Sequence, residues 1–308
     1  MINKGSAPRI GFILDFDGTI TSKDTISALA NFALSFQKSR GRELSGVWDN
    51  IITKYSDDYS KHVEKYRPGK EERETLEEEV GFYRSLREIE LKSFERVSKS
   101  GLFQQIEEQD WKEFGHDAVR TGAVVVRQGF QEFVSVVSGH KLKWGVVSVN
   151  FSSHFIKGVL SEDLGAENAL LSVLANRSTR EGSIIGPELN DDRLCRVLAT
   201  SDAKLLSMKR LLHHWTGASE NENGFSRLIY IGDSGTDIEC LTAEGVMGIV
   251  VSEDGESDLM KRLKHIGITV VHVDNILRGS QDELYWARNF NEIVGSPLFV
   301  SMTKLLDD

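Results

Sequence analysis

Cysteine is scarce in this chain, whose 308 residues include only two, Cys195 and Cys240. Two cysteines that are far apart in the sequence provide neither a disulfide framework nor a thiolate cluster for a metal, and free thiols are typical of a reducing compartment. Long apolar segments are missing as well, since the apolar run 10–14 is far too short for a membrane span or a signal-peptide core. We therefore expect a cytoplasmic protein without a membrane partner.

The chain also lacks an excess of basic residues: 37 lysines and arginines stand against 47 aspartates and glutamates, which gives a net charge of −10. Such a chain would repel a polyanion unless a local basic patch attracted it, and the sequence shows no such patch. Nucleic acid is therefore not an expected partner. With 40% hydrophobic and 27% charged residues, the composition is typical of a globular protein with one large or two moderate domains.

Hydrophobic patterning predicts an α/β fold with a parallel sheet, because short apolar segments alternate with helical periodicity after Gly122. The predicted strands span 9–15, 142–149, 227–231 and 246–250, and a small hairpin is predicted from 170–176 and 183–185. The predicted helices of this part span 130–138, 153–160, 202–215, 237–243 and 257–263.

Between the first strand and this alternating part, the segment 21–120 has helical periodicity throughout. Its predicted helices span 24–36, 47–66, 71–100 and 107–119. The sequence therefore predicts a core domain formed by 1–20 and 121–308, with an all-helical domain at 21–120 inserted directly after the first strand.

Polar residues follow three of the predicted strands at the point where each strand ends. They are Asp15 and Asp17 after the first strand, Ser148 and Asn150 after the second, and the segment 232–237 after the third. Ligands of open parallel sheets bind at the carboxyl ends of the strands, so these residues are the first candidates for a site. Lys204, at the start of a predicted helix, is a further candidate.

These residue types are the ones that phosphoryl transfer requires. Asp15 would attack phosphorus, and Asp17 would protonate the leaving alcohol and later activate water. Gly18 permits a tight turn with inward amides, while Ser148 and Lys204 would bind the phosphoryl oxygens. We keep open that Ser148 merely ends a strand and that Lys204, like Lys209 on the same helix, is a solvated surface charge.

Mg²⁺ is the cofactor that these carboxylates predict, because it prefers hard oxygen ligands. The candidate ligands are Asp15, the carbonyl of Asp17, and Asp233, with Asp237 orienting the site. Asp237 has an alternative role as the cap of the following helix.

The four motifs Asp15-Phe-Asp-Gly-Thr19, Ser148, Lys204 and Gly232-Asp-Ser-Gly-Thr-Asp237 resemble, in this order, those of the haloacid dehalogenase superfamily of phosphohydrolases. The resemblance implies a Rossmann-like core, Asp15 as nucleophile, Asp17 as acid/base, and a magnesium site at Asp233 and Asp237. The helical insert resembles the cap of the phosphoserine-phosphatase-like branch, which closes over the site and reads the substrate.

A narrower similarity concerns the segments 48–59, 148–153 and 230–249, which are similar to the phosphatase portion of plant thiamin monophosphate phosphatases. This similarity implies thiamin monophosphate as a candidate substrate. Substrate choice changes easily on a shared fold, so a different amine-bearing phosphomonoester, of the phosphoserine or phosphocholine type, remains an alternative.

Four residues of the insert are candidates for contact with a cationic substrate: Asp24, Trp48, Tyr55 and Tyr59. By the resemblance, Asp24 occupies the position at which phosphoserine phosphatases bind the substrate ammonium, commonly with Glu. Asp24 is equally placed to cap the helix that follows, and aromatic residues at helical spacing more often belong to a core.

The leading hypothesis is therefore a Mg²⁺-dependent phosphomonoesterase that acts on a small metabolite. A dehalogenase would not need Asp17, whereas a phosphomutase would keep both carboxylates and differ only in its product. A non-catalytic binding protein with this fold would be expected to lack a carboxylate or the lysine, and the sequence retains all of them.

Overall fold

The structure is a computed structural model that describes residues 9–164, 171–189, 192–193, 196–217, 225–276 and 284–301. Within these residues, seven strands form one parallel sheet: β1 (Ile10–Leu14), β2 (Lys143–Val147), β3 (Ser172–Leu174), β8 (Arg227–Gly232), β9 (Val246–Val251), β10 (Val271–His272) and β11 (Leu284–Ala287). Their order across the sheet is β10-β11-β9-β8-β1-β2-β3. The prediction of a parallel α/β sheet is confirmed.

The central strand β1 is apolar because both faces of the sheet are covered by helices. All five of its residues are buried. Phe12 and Leu14 pack into the hydrophobic cluster on one face, and Ile13 packs into the cluster on the other. Such alternation is the normal direction of side chains along a strand.

Register aligns the carboxyl ends of the three central strands. Leu14 pairs with Val146 of β2 on one side and with Ile231 of β8 on the other. From β1 the chain proceeds to β2 and β3 on one side, and later returns to β8 on the other side. This reversal next to β1 is the place where α/β sheets form a ligand-binding crevice.

The insert between β1 and the rest of the sheet is helical in the structure, and the boundaries of the two predicted domains stay a prediction. Its helices are α1 (Ile26–Ser39), α2 (Ser45–Lys65), α3 (Leu76–Ser85), α4 (Arg87–Lys99) and α5 (Glu108–Arg120), with a single turn at Lys70–Glu72. The other helices are α6 (Phe130–Gly139), α7 (Ser153–Val159), α8 (Ser161–Leu164), α9 (Ser201–Thr216), α10 (Ile238–Leu241), α11 (Asp258–His265) and α12 (Phe290–Gly295).

The single helix predicted over 71–100 is wrong, because the segment divides into the turn at Lys70–Glu72, α3 and α4. α3 begins with a capping box, in which Thr75 Oγ1 accepts from the Glu78 amide and the Glu78 carboxylate accepts from the Thr75 amide. α3 then ends at Ser85, and Leu86, which follows it, is buried in a cluster with Phe82 and Ile89. Periodicity alone does not reveal such a break.

The predicted hairpin is also wrong in its pairing. β3 lies within the segment predicted as the first arm, but it is the edge strand of the main sheet and pairs in parallel with β2. The antiparallel pair consists of β4 (Arg177–Ser178) and β5 (Ile184–Ile185), and a second short pair consists of β6 (Glu188–Leu189) and β7 (Asp192–Arg193). β3 joins the sheet because Val173 and Leu174 are buried in the clusters on its two faces.

Two further points concern the expectations for cysteine and membranes. Cys240 is a free, buried thiol, and Cys195 lies outside the described residues. In the described part of the chain, every helix is too short or too polar to traverse a bilayer.

Candidate active site

Three carboxylates meet at the carboxyl edge of the sheet and are called here the acid cluster: Asp15, Asp233 and Asp237. Asp15 follows β1 directly, and Asp233 and Asp237 lie in the loop that follows β8. One oxygen from each carboxylate lies within 4.8 Å of one from each of the others. The strand register therefore brings together residues that are far apart in the sequence.

Lys204 of α9 projects into the acid cluster. Its side chain is 0% exposed, and its Nζ lies 2.8 Å from Asp15 Oδ2 and 2.6 Å from Asp237 Oδ1. Burial by itself lowers the pKa of Lys204, but the carboxylates of Asp15 and Asp237 raise it above its usual value. This placement excludes the alternative of a solvated surface charge, whereas Lys209 is exposed.

Asp237 organises the loop in which it lies. Its Oδ1 accepts from Lys204 and, at 2.6 Å, from the hydroxyl of Tyr230. Its Oδ2 accepts from the amides of Asp233 at 3.2 Å and Ser234 at 3.1 Å. Because these amides precede Asp237, the side chain stabilises its own loop and does not cap the following helix α10.

Asp233 lies against the turn that follows β1. The Thr19 hydroxyl donates to Asp233 Oδ1 at 2.8 Å, and burial, followed by the nearby Asp237, raises the pKa of Asp233 to about 7. Gly18 is required in this turn, because its φ is +73° and an added Cβ would lie 2.3 Å from Asp233 Oδ2. Arg127 holds the turn by donating to the Gly18 carbonyl at 2.6 Å.

The charge balance of the acid cluster fits a divalent cation. Burial, and then Asp237, raise the pKa of Asp15 well above its usual value, although Lys204 partly offsets this effect. Two buried carboxylates, Asp15 and Asp237, and the half-buried carboxylate of Asp233 share one buried lysine, so their ionised forms carry uncompensated negative charge. Carboxylate oxygens are also the ligands that Mg²⁺ prefers.

The Asp17 carboxylate is held by groups outside the acid cluster. Its Oδ1 accepts from Thr25 N at 2.9 Å and from Thr25 Oγ1 at 2.5 Å, and its Oδ2 accepts from Asn150 Nδ2 at 2.8 Å. Burial, and then the charge of Asp24, raise the pKa of Asp17 to about 6. A carboxyl group with this pKa is suited to both proton donation and proton acceptance near neutral pH.

Ser148 is fully buried directly after β2. Its amide donates to the Leu174 carbonyl at 3.0 Å, and its hydroxyl oxygen accepts from the Asn150 amide at 3.2 Å. These bonds fix the loop after β2, and the phosphate-binding roles of Ser148, Lys204 and Gly18 stay predictions.

Thr25 is the N-cap residue of α1, and Asp24 lies one position before it, where it bonds the first amide of the helix. The Asp24 side chain is exposed and accepts from the Ile26 amide at 2.7 Å. Its role toward a substrate stays a prediction.

The aromatic candidates all lie on α2. Trp48 is half-buried and packs against the hydrophobic core. Tyr55 donates to Glu90 Oε1 at 2.8 Å and stacks on Tyr59, with 6.2 Å between ring centroids. These contacts give Trp48 and Tyr55 a packing role, and contact with a substrate stays a prediction.

Tyr83 of α3 contacts the loop of the acid cluster, although the sequence analysis did not include it among the candidate site residues. An added Cβ at Gly235, within the loop of the acid cluster, would lie 2.0 to 2.2 Å from Cζ, the hydroxyl oxygen and Cε1 of Tyr83. The insert therefore packs directly on the acid-cluster loop. The glycine at position 235 of the motif was the one signal of this contact in the sequence. A glycine permits close approach of another residue but does not show which residue it is.

Arg84, next to Tyr83 on α3, forms a further bridge from the insert to this region. Its guanidinium donates to both carboxylate oxygens of Glu239, which also accepts from the Ser201 hydroxyl at 2.7 Å. These hydrogen bonds connect α3 with α10 and α9 around the acid cluster.

Comparisons with known proteins agree with this fold. The family model described as haloacid dehalogenase-like hydrolase matches residues 12–242. "Cold tolerance protein 1" of Saccharomyces cerevisiae is 25% identical over 262 residues, which cover 80% of this chain and 79% of that protein.

Solved structures with a similar fold include a cytosolic 5'-nucleotidase IIIB bound to cytidine, at 14% identity and a TM-score of 0.50, covering 97% of this chain and 86% of that chain. A substrate-bound phosphoserine phosphatase has 15% identity and a TM-score of 0.45, covering 85% of this chain and 93% of that chain.

Proposed function

This chain belongs to the haloacid dehalogenase-like hydrolase family, and we propose that it is a Mg²⁺-dependent phosphomonoesterase that acts on a small phosphorylated metabolite. The observation that carries the proposal is the pairing of Asp15 with Lys204, while a second carboxylate, Asp17, is held separately on Thr25 and Asn150. A nucleophile and a separate proton donor are the two groups that hydrolysis through an aspartyl phosphate requires.

The proposed reaction has two steps, in both of which Asp15 and Asp17 act together. Asp15 attacks phosphorus and forms a P–O bond, while the bond to the leaving oxygen breaks and that oxygen takes a proton from Asp17. Asp17 then removes a proton from water, which attacks the aspartyl phosphate and releases inorganic phosphate and free Asp15. Lys204 offsets the charge on Asp15 and on the phosphoryl oxygens.

Asp15, Asp233 and the Asp17 carbonyl would hold Mg²⁺, and Asp237 would orient them. When bound, the ion offsets negative charge on the transferring phosphoryl group. Support for this set comes from the close approach of the three carboxylates and from their uncompensated charge.

We propose thiamin monophosphate as the substrate, in a cytoplasmic enzyme whose helical insert, 21–120, acts as the substrate-reading cap. The sequence similarity to plant thiamin monophosphate phosphatases supports this choice. A cationic thiazolium favours a carboxylate and an aromatic face, which Asp24, Trp48, Tyr55 and Tyr59 would offer. Another amine-bearing phosphomonoester, such as a phosphoserine or phosphocholine type, has the same requirement.

The first test measures phosphate release from a panel of phosphorylated metabolites. We expect activity with Mg²⁺, loss of activity with EDTA, and recovery on addition of Mg²⁺. Excess Ca²⁺ should inhibit, because its higher and looser coordination disturbs the position of Asp15. Equal rates with Mg²⁺ and Ca²⁺ would contradict the proposed site, and no hydrolysis of any phosphomonoester would favour a non-catalytic binding protein.

The second test separates the two roles of Asp24 with a pair of variants. Asp24→Asn keeps an oxygen that accepts from the Ile26 amide but removes the charge, whereas Asp24→Ala removes both. If Asp24 binds the cation, both variants weaken kcat/KM for thiamin monophosphate by about 1 to 3 kcal/mol more than kcat/KM for phenyl phosphate. The comparison uses two substrates that both need a proton from Asp17, so the effect of the Asp24 charge on the pKa of Asp17 is common to both.

If Asp24 is only a cap, the same pair gives a different pattern. Asp24→Ala then lowers the free energy of unfolding by about 0.5 to 2 kcal/mol, and Asp24→Asn has little effect on stability or on the ratio of kcat/KM for the two substrates. Kinetics on both substrates and urea unfolding of both variants distinguish the two roles.

A further inference from the structure

Two buried asparagines form an amide network beside Asp17. Both polar atoms of the Asn150 side chain, in the loop after β2, form hydrogen bonds. Oδ1 accepts from the Ser152 amide at 3.0 Å. Nδ2 donates to Asp17 Oδ2 at 2.8 Å and to Thr25 Oγ1 at 3.0 Å. The bond from Ser152 fixes which end of the amide faces Asp17. Asn150 therefore presents two N–H donors toward the Asp17 and Thr25 pair.

Asn176, which follows β3, fixes the loop that carries Asn150. Its Nδ2 donates to the carbonyls of Val149, Asn150 and Leu198 at 2.8 to 3.1 Å, and its Oδ1 accepts from the Leu198 amide at 2.7 Å. Leu198 precedes α9, the helix that carries Lys204. Hydrogen bonds of Asn176 thus connect the loop of Asn150 with the segment that precedes α9 and Lys204.

The hydrogen bonds to Asp17 are unequal. Oδ1 accepts two donors from Thr25, while Oδ2 accepts one donor from Asn150. Because the Thr25 hydroxyl donates to Oδ1, it is free to accept from Asn150, and Asp17, Thr25 and Asn150 form a closed ring of bonds. Among the described residues Oδ2 thus accepts one donor fewer than Oδ1, which leaves it a lone pair that can carry the transferred proton.

We propose that Asn150 is the positioning residue for proton transfer: its amide holds Asp17 so that Oδ2 is directed to the leaving oxygen. This inference rests on the proposed function, because it assigns the geometry of its acid/base step. Within the described residues, the hydrogen bonds of the Asn150 side chain go to Asp17, Thr25 and Ser152 and none goes to the acid cluster, so its effect should be confined to steps in which Asp17 moves a proton.

The experiment compares release of the leaving group in the first turnover for two aryl phosphates with Mg²⁺ present. Phenolate is a poor leaving group and needs a proton, whereas 2,4-dinitrophenolate does not. Asn150→Ala should slow release from phenyl phosphate by about 10- to 100-fold, since small misplacement of a catalytic group has effects of this size, and should slow release from 2,4-dinitrophenyl phosphate by less than about threefold. Asp17→Asn should show the same selectivity with a larger loss.

Ser152→Ala is the matched control. Its hydroxyl caps α7 by accepting from the Phe155 amide at 3.1 Å, whereas the Ser152 amide that holds Asn150 remains. This variant disturbs the same loop but should leave the ratio of the two release rates unchanged. If Asn150→Ala does not fold, Thr25→Val provides the second variant, because it removes one donor to Asp17 at nearly constant volume and should shift the ratio in the same direction.

Equal slowing of both substrates by Asn150→Ala, or no slowing of either, would overturn the positioning role and leave the proposed phosphatase intact. A shifted ratio in Ser152→Ala would also overturn it, because disturbance of the loop would then suffice. Failure of the wild-type protein to release either leaving group would instead overturn the proposed function, and the role of Asn150 with it.

Discussion

Asp15→Asn is expected to lower phosphomonoesterase activity by more than about 10³-fold while the protein stays folded. An amide is a poor nucleophile toward phosphorus and a weaker ligand for Mg²⁺. The substitution hardly changes volume, and Asn retains an oxygen that can accept from the Phe16 amide, which donates to Asp15 Oδ1 at 2.7 Å. Phosphate release and trapping of the phosphorylated protein measure the effect, and circular dichroism reports the fold.

The matched control for this variant is Asp117→Asn, which makes the same change at an exposed position on α5. It should keep wild-type activity. Activity above a few per cent in Asp15→Asn would show that another residue is the nucleophile. A phosphorylated form of the Asp15→Asn variant would show the same.

Glu79→Ala is expected to lower the free energy of unfolding by about 3 to 5 kcal/mol, because it breaks a buried ion network. Glu79 is 1% exposed and pairs with Arg73 and Arg262, which are 3% and 4% exposed. Its Oε2 lies 2.7 Å from Arg73 Nε and 2.9 Å from Arg262 Nη2. Removal of the carboxylate leaves two buried guanidiniums without a counter-charge.

The control is Glu77→Ala on the same helix, where the side chain is exposed and the expected change is within about 0.5 kcal/mol. The midpoint of urea unfolding compares the two variants. Similar small losses in both would show that the buried network contributes little beyond an exposed carboxylate. Arg73 and Glu79 belong to the insert and Arg262 to α11, so the network connects these two parts of the structure.

The candidate site was predictable as far as it depends on strand ends. The sequence of β1 ends its apolar run at Asp15, and β8 ends before Asp233. Since parallel strands place their carboxyl ends at one edge of the sheet, proximity of these two residues follows from local patterns. The structure adds Lys204 to the same cluster. The catalytic and binding roles of these residues stay predictions.

Other features could not be read from local patterns, because they depend on pairing between distant segments. The sequence places Thr25 at the start of a predicted helix and gives no sign of contact with Asp17. In the structure Thr25 donates twice to Asp17. Tyr83 and Gly235 give no sign in the sequence that they are in contact. The network of Arg73, Glu79 and Arg262 appears in the sequence only as ordinary surface charge.

The sequence by itself determined the parallel α/β sheet, the helical character of the insert and the identity of the candidate catalytic carboxylates, because hydrophobic periodicity and strand-end chemistry are local properties. Only the tertiary structure decided which polar groups meet: Lys204 between Asp15 and Asp237, and Asn150 on Asp17. It also decided that β3 joins the main sheet and that the segment 71–100 divides at Leu86. These outcomes depend on burial against residues that are distant in the sequence. The free energy of this burial exceeds the free energy of the secondary-structure propensities of short segments.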